Sequence, residues 1–262
     1  MNRSSIKRLH SESGFTLVEL IAVIVITGIL STMLVGFITA PINAYVDVTR
    51  RAQMVDSAEM ALRHIQRDIR SALPNSIRTE GGNLMMINTV AGGRYRASPP
   101  GDVLDFTQQD TSFDVLGFIE PLTSSSDLRV AIYNLGVAGA DAYQGDAVLS
   151  PAGASLSGNN VSLPEPHRFP FSSPRQRFFL VDDAIRYRCE NQRLYREICT
   201  ISLPPTCSVS EPVATSVNCG LTLFNYDPGT ATRSGTVTIQ IALEDTGERI
   251  NLMHQVHVGN AP

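Results

Sequence analysis

The sequence predicts an α+β fold, with one very long N-terminal helix leading into a head built on an antiparallel sheet. Three observations point there. No charged side chain occurs from residue 20 to residue 46, a run longer than the ~20 apolar residues that cross a bilayer. Beyond it, apolar residues recur at Val48, Ala52, Val55, Ala58, Leu62, Ile65, Ile69 and Ala72, the three- and four-residue steps of an amphipathic helix. Short β-rich runs follow. The clearest, T-V-T-I-Q-I-A-L at 236–243, alternates polar and apolar residues with the period of a half-buried strand. A helix followed by a series of strands is an α+β pattern.

The first elements divide into a short leader (1–14), a membrane-spanning helix (15–40) and an amphipathic continuation (41–73). The leader carries Arg3, Lys7 and Arg8. Basic residues before a span predict a cytoplasmic N-terminus and an external C-terminal part. The polar face of the continuation carries Arg50, Asp56, Arg63, Gln66, Arg67 and Arg70. Pro41 lacks an N–H and is expected to kink or locally open the helix, and Pro74 to end it. At 1.5 Å per residue a helix of this length spans about 85 Å.

The head, 74–262, is expected to begin with a Gly/Pro-rich loop holding one strand at 83–90. Strands follow at 103–107, 115–119 and 128–134. The stretch 143–174 is rich in Gly, Ser, Pro and Asn, which predicts a flexible insertion. The clearest hairpin lies at 178–198. With Asn191-Gln192 as its turn, Cys189 faces Leu194, Tyr187 faces Arg196 and Arg186 faces Glu197, giving one largely apolar face. The last strands fall at 221–226, 235–243 and 250–258, with Asp245-Thr246-Gly247 as a turn.

All four cysteines, Cys189, Cys199, Cys207 and Cys219, lie in the part predicted to be external. An even number in an oxidising compartment reads as two disulfides, with three pairings open. The hairpin register places Cys199 opposite Ala184, far along the ladder from Cys189, so Cys199–Cys207 with Cys189–Cys219 fits better.

Little here suggests chemistry. The string Gly153-Ala154-Ser155-Leu156-Ser157 lacks the closing glycine of a nucleophile elbow, and no H-E-x-x-H occurs. No catalytic residue, metal or cofactor is expected. Asp102, Asp105, Asp110 and Asp114 lack the spacing of a calcium loop and read as solvated charges. Arg175, Arg177, Arg186, Arg188, Arg193 and Arg196, interleaved with Phe178, Tyr187 and Tyr195, read as the polar face of a hairpin. The formal charge is −4. The leader holds three basic residues and one acid, so its loss leaves −6, which argues against a general nucleic-acid binder.

One segment is specific. Residues 13–20 read S-G-F-T-L-V-E-L. A secretory signal is cut after its apolar core, whereas the Gly14-Phe15 junction lies before it. Glu19 is an acid inside a membrane-inserting run, where a charge costs about 2.5–3.5 kcal/mol. The run G-F-T-L-V-E-L resembles the processing site of type IV prepilins and pseudopilins. That resemblance implies the pilin fold, cleavage between Gly14 and Phe15 by a prepilin peptidase, and methylation of Phe15. It also implies pairing of Glu19 with the Phe15 ammonium of a neighbouring subunit during assembly. The implied partners are the peptidase, an inner-membrane assembly platform and other major and minor pilins. The implied location is the bacterial inner membrane, single-pass with a periplasmic head, and then the pilus surface. A mature length above that of most major pilins favours a minor pilin. The ending Q-V-H-V-G-N-A-P is similar to that of minor pilins of mannose-sensitive haemagglutinin pili, for which assembly, priming and cell adhesion are expected. A type II secretion pseudopilin, or a tip module binding a surface, glycan or DNA, is the alternative.

Overall fold

The computed structural model describes residues 14–120, 127–230 and 233–260. The expected leader, up to residue 13, and the last two residues of the C-terminal motif lie outside the described residues. The chain divides into two compact units, one running to Ala52 and the other from Gln53 onward.

The first unit is helical. Helix α1 spans Leu17–Arg70, with Pro41 inside it and no break in its assignment there. Its 18-residue window of highest mean hydropathy reaches 2.6, and large apolar side chains such as Phe15, Ile24, Leu30, Phe37, Tyr45 and Val48 are exposed. A helix that is apolar on all sides with nothing to bury against suits lipid. Two of its hydroxyls are satisfied locally: Ser31 Oγ donates to the Thr27 carbonyl at 2.7 Å and Thr32 Oγ1 to that of Ile29 at 2.8 Å. Such back-bonding lets polar residues sit in hydrocarbon without an unpaired donor.

In the second unit the same helix becomes one-sided. Met54, Ala58, Ala61, Leu62, Ile65 and Ile69 are buried, three- and four-residue steps that hold one stripe against a sheet. Val48 and Ala52, expected to extend this stripe, are exposed, because the buried face begins only at Met54. The helix stops at Arg70, short of Pro74. There the chain joins a strand instead: the Leu73 N–H donates to the Ile87 carbonyl and the Thr89 N–H to that of Ser71.

The strands are β1 (Arg78–Glu80), β2 (Asn83–Tyr95), β3 (Asp110–Leu116), β4 (Arg129–Ala131), β5 (Ser155–Ser157), β6 (Asn160–His167), β7 (Arg177–Glu190), β8 (Arg193–Cys199), β9 (Cys207–Thr215), β10 (Leu223–Asp227), β11 (Gly235–Asp245) and β12 (Glu248–Val258). Among the described residues one sheet runs β5-β6-β3-β2-β7-β8-β9, with β1 beside β2 and β4 beside β7, and a second runs β10-β11-β12. All the pairings are antiparallel.

Strands β2 and β7 form the spine, and both faces of their pairing are buried. Leu84, Met86, Ile185 and Tyr187 face the helix and meet Val237, Ile239 and Ile241 of β11 in one core. Their sequence neighbours Met85, Ile87 and Ala184 face the other way, with Tyr143 and Val148. A third core, around Phe113, Phe169 and Phe178, lies further along β7. Full burial of an Ile such as Ile65 or Ile69 contributes about 1.5–3 kcal/mol, so the helix is fixed chiefly by this stripe.

The β7–β8 register matches the expected one throughout, including Cys189 with Leu194 and Cys199 with Ala184. The bonds formed are Cys189–Cys219 and Cys199–Cys207. Strand β11 turns into β12 through Thr246 and Gly247, both at positive φ, between the paired Asp245 and Glu248, as a two-residue hairpin requires.

Two expectations are corrected. Residues 103–107 form no strand, because the Asp105 carboxylate accepts from the Thr107 and Gln108 amides, an Asx turn that competes with a ladder. The stretch 143–174 is not one flexible loop. It holds β5 and β6 and buries Tyr143, Val148, Val161, Leu163 and Phe169; its turn residues separate core positions instead of replacing them. Strand β9 was not expected. Its Pro212 cannot donate to a ladder, a residue tolerated on the edge strand that β9 is.

Candidate functional site

The N-terminal segment is built from Gly14 upward. Gly14, Phe15 and Thr16 precede the helix, and all three are exposed. A Cβ placed on Gly14 would meet nothing within 4 Å. Among the described residues, packing therefore does not require glycine there. Phe15 is 79% exposed. The junction between them is exposed and lies outside the helix, beside a residue with no Cβ.

Thr16 caps the helix. Its Oγ1 accepts from the Glu19 N–H at 3.3 Å, and its carbonyl accepts from the Leu20 N–H at 3.1 Å. Glu19 thus occupies the third helical position, in the first turn, where a negative charge is favoured by the helix dipole. The sequence T-x-x-E is a capping-box signature. Thr16 was missed in the reading of the sequence, and this spacing is the signal that would have found it. Only half of the box forms. The Glu19 carboxylate is exposed and meets no donor among the described residues.

The arginine-rich hairpin is tied down within the chain. Glu197 is 3% exposed and accepts from Arg186 Nε at 2.6 Å and from Arg188 Nη2 at 3.0 Å. Arg188 also pairs with Glu190. Arg196 Nε and the Tyr187 hydroxyl both donate to Asp68 Oδ2 at 2.7 Å, joining the helix to the hairpin. Phe178 and Tyr187 are core residues. Arg175 and Arg193 are exposed.

Burial pushes the Glu197 carboxyl up, but the Arg188 and Arg186 hydrogen bonds outweigh it and hold it below the ordinary range. A depressed folded-state value means its contribution is full above the unfolded pKa of about 4.3 and is lost as pH falls through the folded value. Glu197→Gln should therefore flatten the dependence of head stability on pH below about 4.3. Urea midpoints across pH 2.5–7 (about two units either side of that pKa) test this; parallel curves for the two proteins would refute it.

The aspartates are also engaged. Asp114 accepts from the Asp102 N–H at 3.0 Å and from Asn160 Nδ2 at 3.2 Å, and Asp102 from Ser112 Oγ at 2.6 Å. Asp110 accepts from the Asp105 N–H at 2.9 Å. These bonds hold a loop together. Glu197 lies near Cys199 and Cys207 with ligand atoms within 4.8 Å of one another, but both sulfurs are joined in a disulfide, so no thiolate is present to bind a metal.

Residues 9–35 match the family model for the prokaryotic N-terminal methylation motif. No curated protein and no solved structure matches the chain. The methylation motif covers the Gly14-Phe15 junction, Glu19 and the first half of the apolar run. It supports membership of the type IV pilin and pseudopilin group, with processing by a prepilin peptidase and assembly with pilins in general.

Proposed function

We propose that this chain is a minor type IV pilin with a structural role and no enzymatic one. It is cut between Gly14 and Phe15, methylated on Phe15, and held in the inner membrane by the apolar half of α1 with its head in the periplasm. From there it joins or primes a pilus. One observation carries this reading: the methylation motif falls on an exposed Gly14-Phe15 junction followed, four residues after Phe15, by Glu19, a carboxylate with no partner among the described residues, on an exposed apolar helix. A carboxylate in lipid is costly, and the ammonium of another subunit's Phe15 would offset it.

The finer assignment is to the mannose-sensitive haemagglutinin type, in assembly and in adhesion. It is supported by the likeness of the C-terminal residues from Gln255. The two disulfides suit a head working outside the cytoplasm. A type II secretion pseudopilin shares the same motif and is the second reading. The two separate on deletion of the gene: loss of piliation supports the first, and loss of exoprotein release with normal pili supports the second.

The processing step is tested by intact-mass spectrometry of the protein from membranes and from sheared pili. The expected result is a chain beginning at methylated Phe15 in both fractions. A Met1 start in cells with active prepilin peptidase would overturn the reading.

A further inference from the structure

Basic charge collects where helix α1 gives way to the sheet. A cleft of about 280 Å³ opens there, walled by Arg70 and Ser71 at the helix end, Thr89 of β2, Arg177 and Phe179 of β7, and Val258 of β12. A second, of about 400 Å³, shares Arg70 and Ser71 with it and adds Arg63, Gln66 and Arg67. Among the described residues no acid lines either cleft, although the chain as a whole carries −4. The β2–β7 register also sets Arg94 opposite Arg177, adding positive charge at this end of the sheet. Two groups in the smaller cleft point to a ligand. Arg70 is exposed, and its guanidinium makes no ion pair or hydrogen bond with any described residue. Thr89 Oγ1 is buried and has no hydrogen-bond partner among the described residues, a rare state for a buried polar atom. The Thr89 N–H donates to the Ser71 carbonyl, which places this residue beside the helix end.

We infer that the smaller cleft binds a phosphomonoester. Such a group carries about 1.5–2 negative charges near neutral pH and three strong acceptor oxygens, so one ligand balances both guanidiniums. Arg70 and Arg177 stand on different elements, which suits a tetrahedral acceptor approached from more than one side. A planar carboxylate is satisfied by a single guanidinium fork. The Thr89 hydroxyl supplies a further donor, and Phe179 with Val258 gives an apolar flank for the carbon skeleton bearing the phosphate. A helix C-terminus ordinarily disfavours an anion, through its unsatisfied carbonyls. Here the Arg67 carbonyl accepts from the Ser71 N–H, that of Asp68 from Ser71 Oγ, and that of Ile69 from the Ala72 N–H. A soluble phosphorylated compound and a phosphatidate-type lipid headgroup share the required chemistry. The cleft lies within the head and does not depend on the pilin reading.

The test is isothermal titration calorimetry of the full chain in an uncharged detergent at constant ionic strength. Inorganic phosphate should bind and acetate should not. Arg70→Gln should weaken phosphate binding about 10-fold or more. Arg193→Gln makes the same charge change opposite Glu190, at the other end of β7 from Arg177, and should alter binding less than about 2-fold. Thr89→Val should weaken it about 3-fold or more without lowering the urea midpoint of the ligand-free chain, since that hydroxyl has no partner to lose. Glycerol phosphate and a short-chain phosphatidate, kept below its micelle concentration, then separate the sources. Equal affinities indicate a soluble ligand, and tighter binding of the phosphatidate indicates a lipid headgroup. No phosphate binding, equal binding of acetate, or an Arg193→Gln effect as large as that of Arg70→Gln overturns the proposal. So does a single-stranded oligonucleotide that outcompetes phosphate and needs Arg63 and Arg67, which would make the two clefts one track for a phosphodiester backbone.

Discussion

Glu19→Ala leaves cleavage and head folding intact and lowers incorporation into the filament at least ~10-fold, about 1.4 kcal/mol or more. The argument begins with what the carboxylate does not do. It accepts no hydrogen bond among the described residues, and the cap on its own amide comes from Thr16 Oγ1, which the substitution leaves in place. Alanine is also the best helix former, which offsets part of the charge–dipole interaction lost from the first turn, about 0.3–1 kcal/mol. Removing a charge from the apolar run makes insertion easier by about 2.5–3.5 kcal/mol, and a shortage of membrane-inserted subunit therefore cannot explain the loss. On the proposed function, what disappears is the attraction to the incoming Phe15 ammonium, about 4 kcal/mol for unit charges 4 Å apart at an effective dielectric of 20. Glu19→Gln retains shape and polarity and should fail nearly as badly. Sheared-pilus yield relative to membrane content, with the N-terminal mass, is the measurement. Normal yield for Glu19→Gln would mean that polarity, not charge, sets the role.

How far the sequence disclosed this protein depended on how local each signal was. The junction at Gly14, the isolated Glu19 and the uncharged run all lie within one continuous segment, so chemistry and position could be read together. The β7–β8 register was equally legible, because a two-residue turn fixes the pairing of everything before and after it. With Cys199 facing Ala184, a Cys189–Cys199 bond was disfavoured, and of the two pairings left the one judged the better fit is the one formed. Features that depend on distant partners were hidden. Nothing near Asp68 in sequence shows that it turns inward, since its partners Tyr187 and Arg196 lie more than a hundred residues away. The same holds for Glu197, whose burial requires β9 on its other side. Strand β9, with its Pro212 and serines, has no apolar alternation to betray it. Between 143 and 174 composition outweighed spacing: Val161, Leu163 and Phe169 are scattered core anchors among turn residues.

Asp68→Ala destabilises the head by about 3–5 kcal/mol, the cost of breaking a buried charged pair from one side. Asp68 is 5% exposed and Tyr187 is fully buried. Both the Tyr187 hydroxyl and Arg196 Nε aim at Asp68 Oδ2 at 2.7 Å. Burial, and then the Asp68 charge beside it, raises the Tyr187 phenol well above its usual range, so it stays a donor at any working pH. Alanine leaves that donor without an acceptor and Arg196 without its counter-charge. Asparagine keeps an acceptor for Tyr187 but removes the charge, and should cost less than alanine. Arg196→Ala alone should also destabilise, while the double variant recovers part of the combined loss, because members of one hydrogen-bonded network are not additive. Urea unfolding of the full chain in detergent, followed by near-ultraviolet circular dichroism, reads all four proteins. A shift below about 1 kcal/mol for Asp68→Ala would show that the apolar stripe alone holds the helix to the sheet. A large shift with no coupling to Arg196 would leave Tyr187 as the partner that matters. Either way the helix carries two separable duties along its length. In the proposed function its exposed apolar half and Glu19 serve contacts outside the chain, while Asp68 with the buried stripe anchors it in the head.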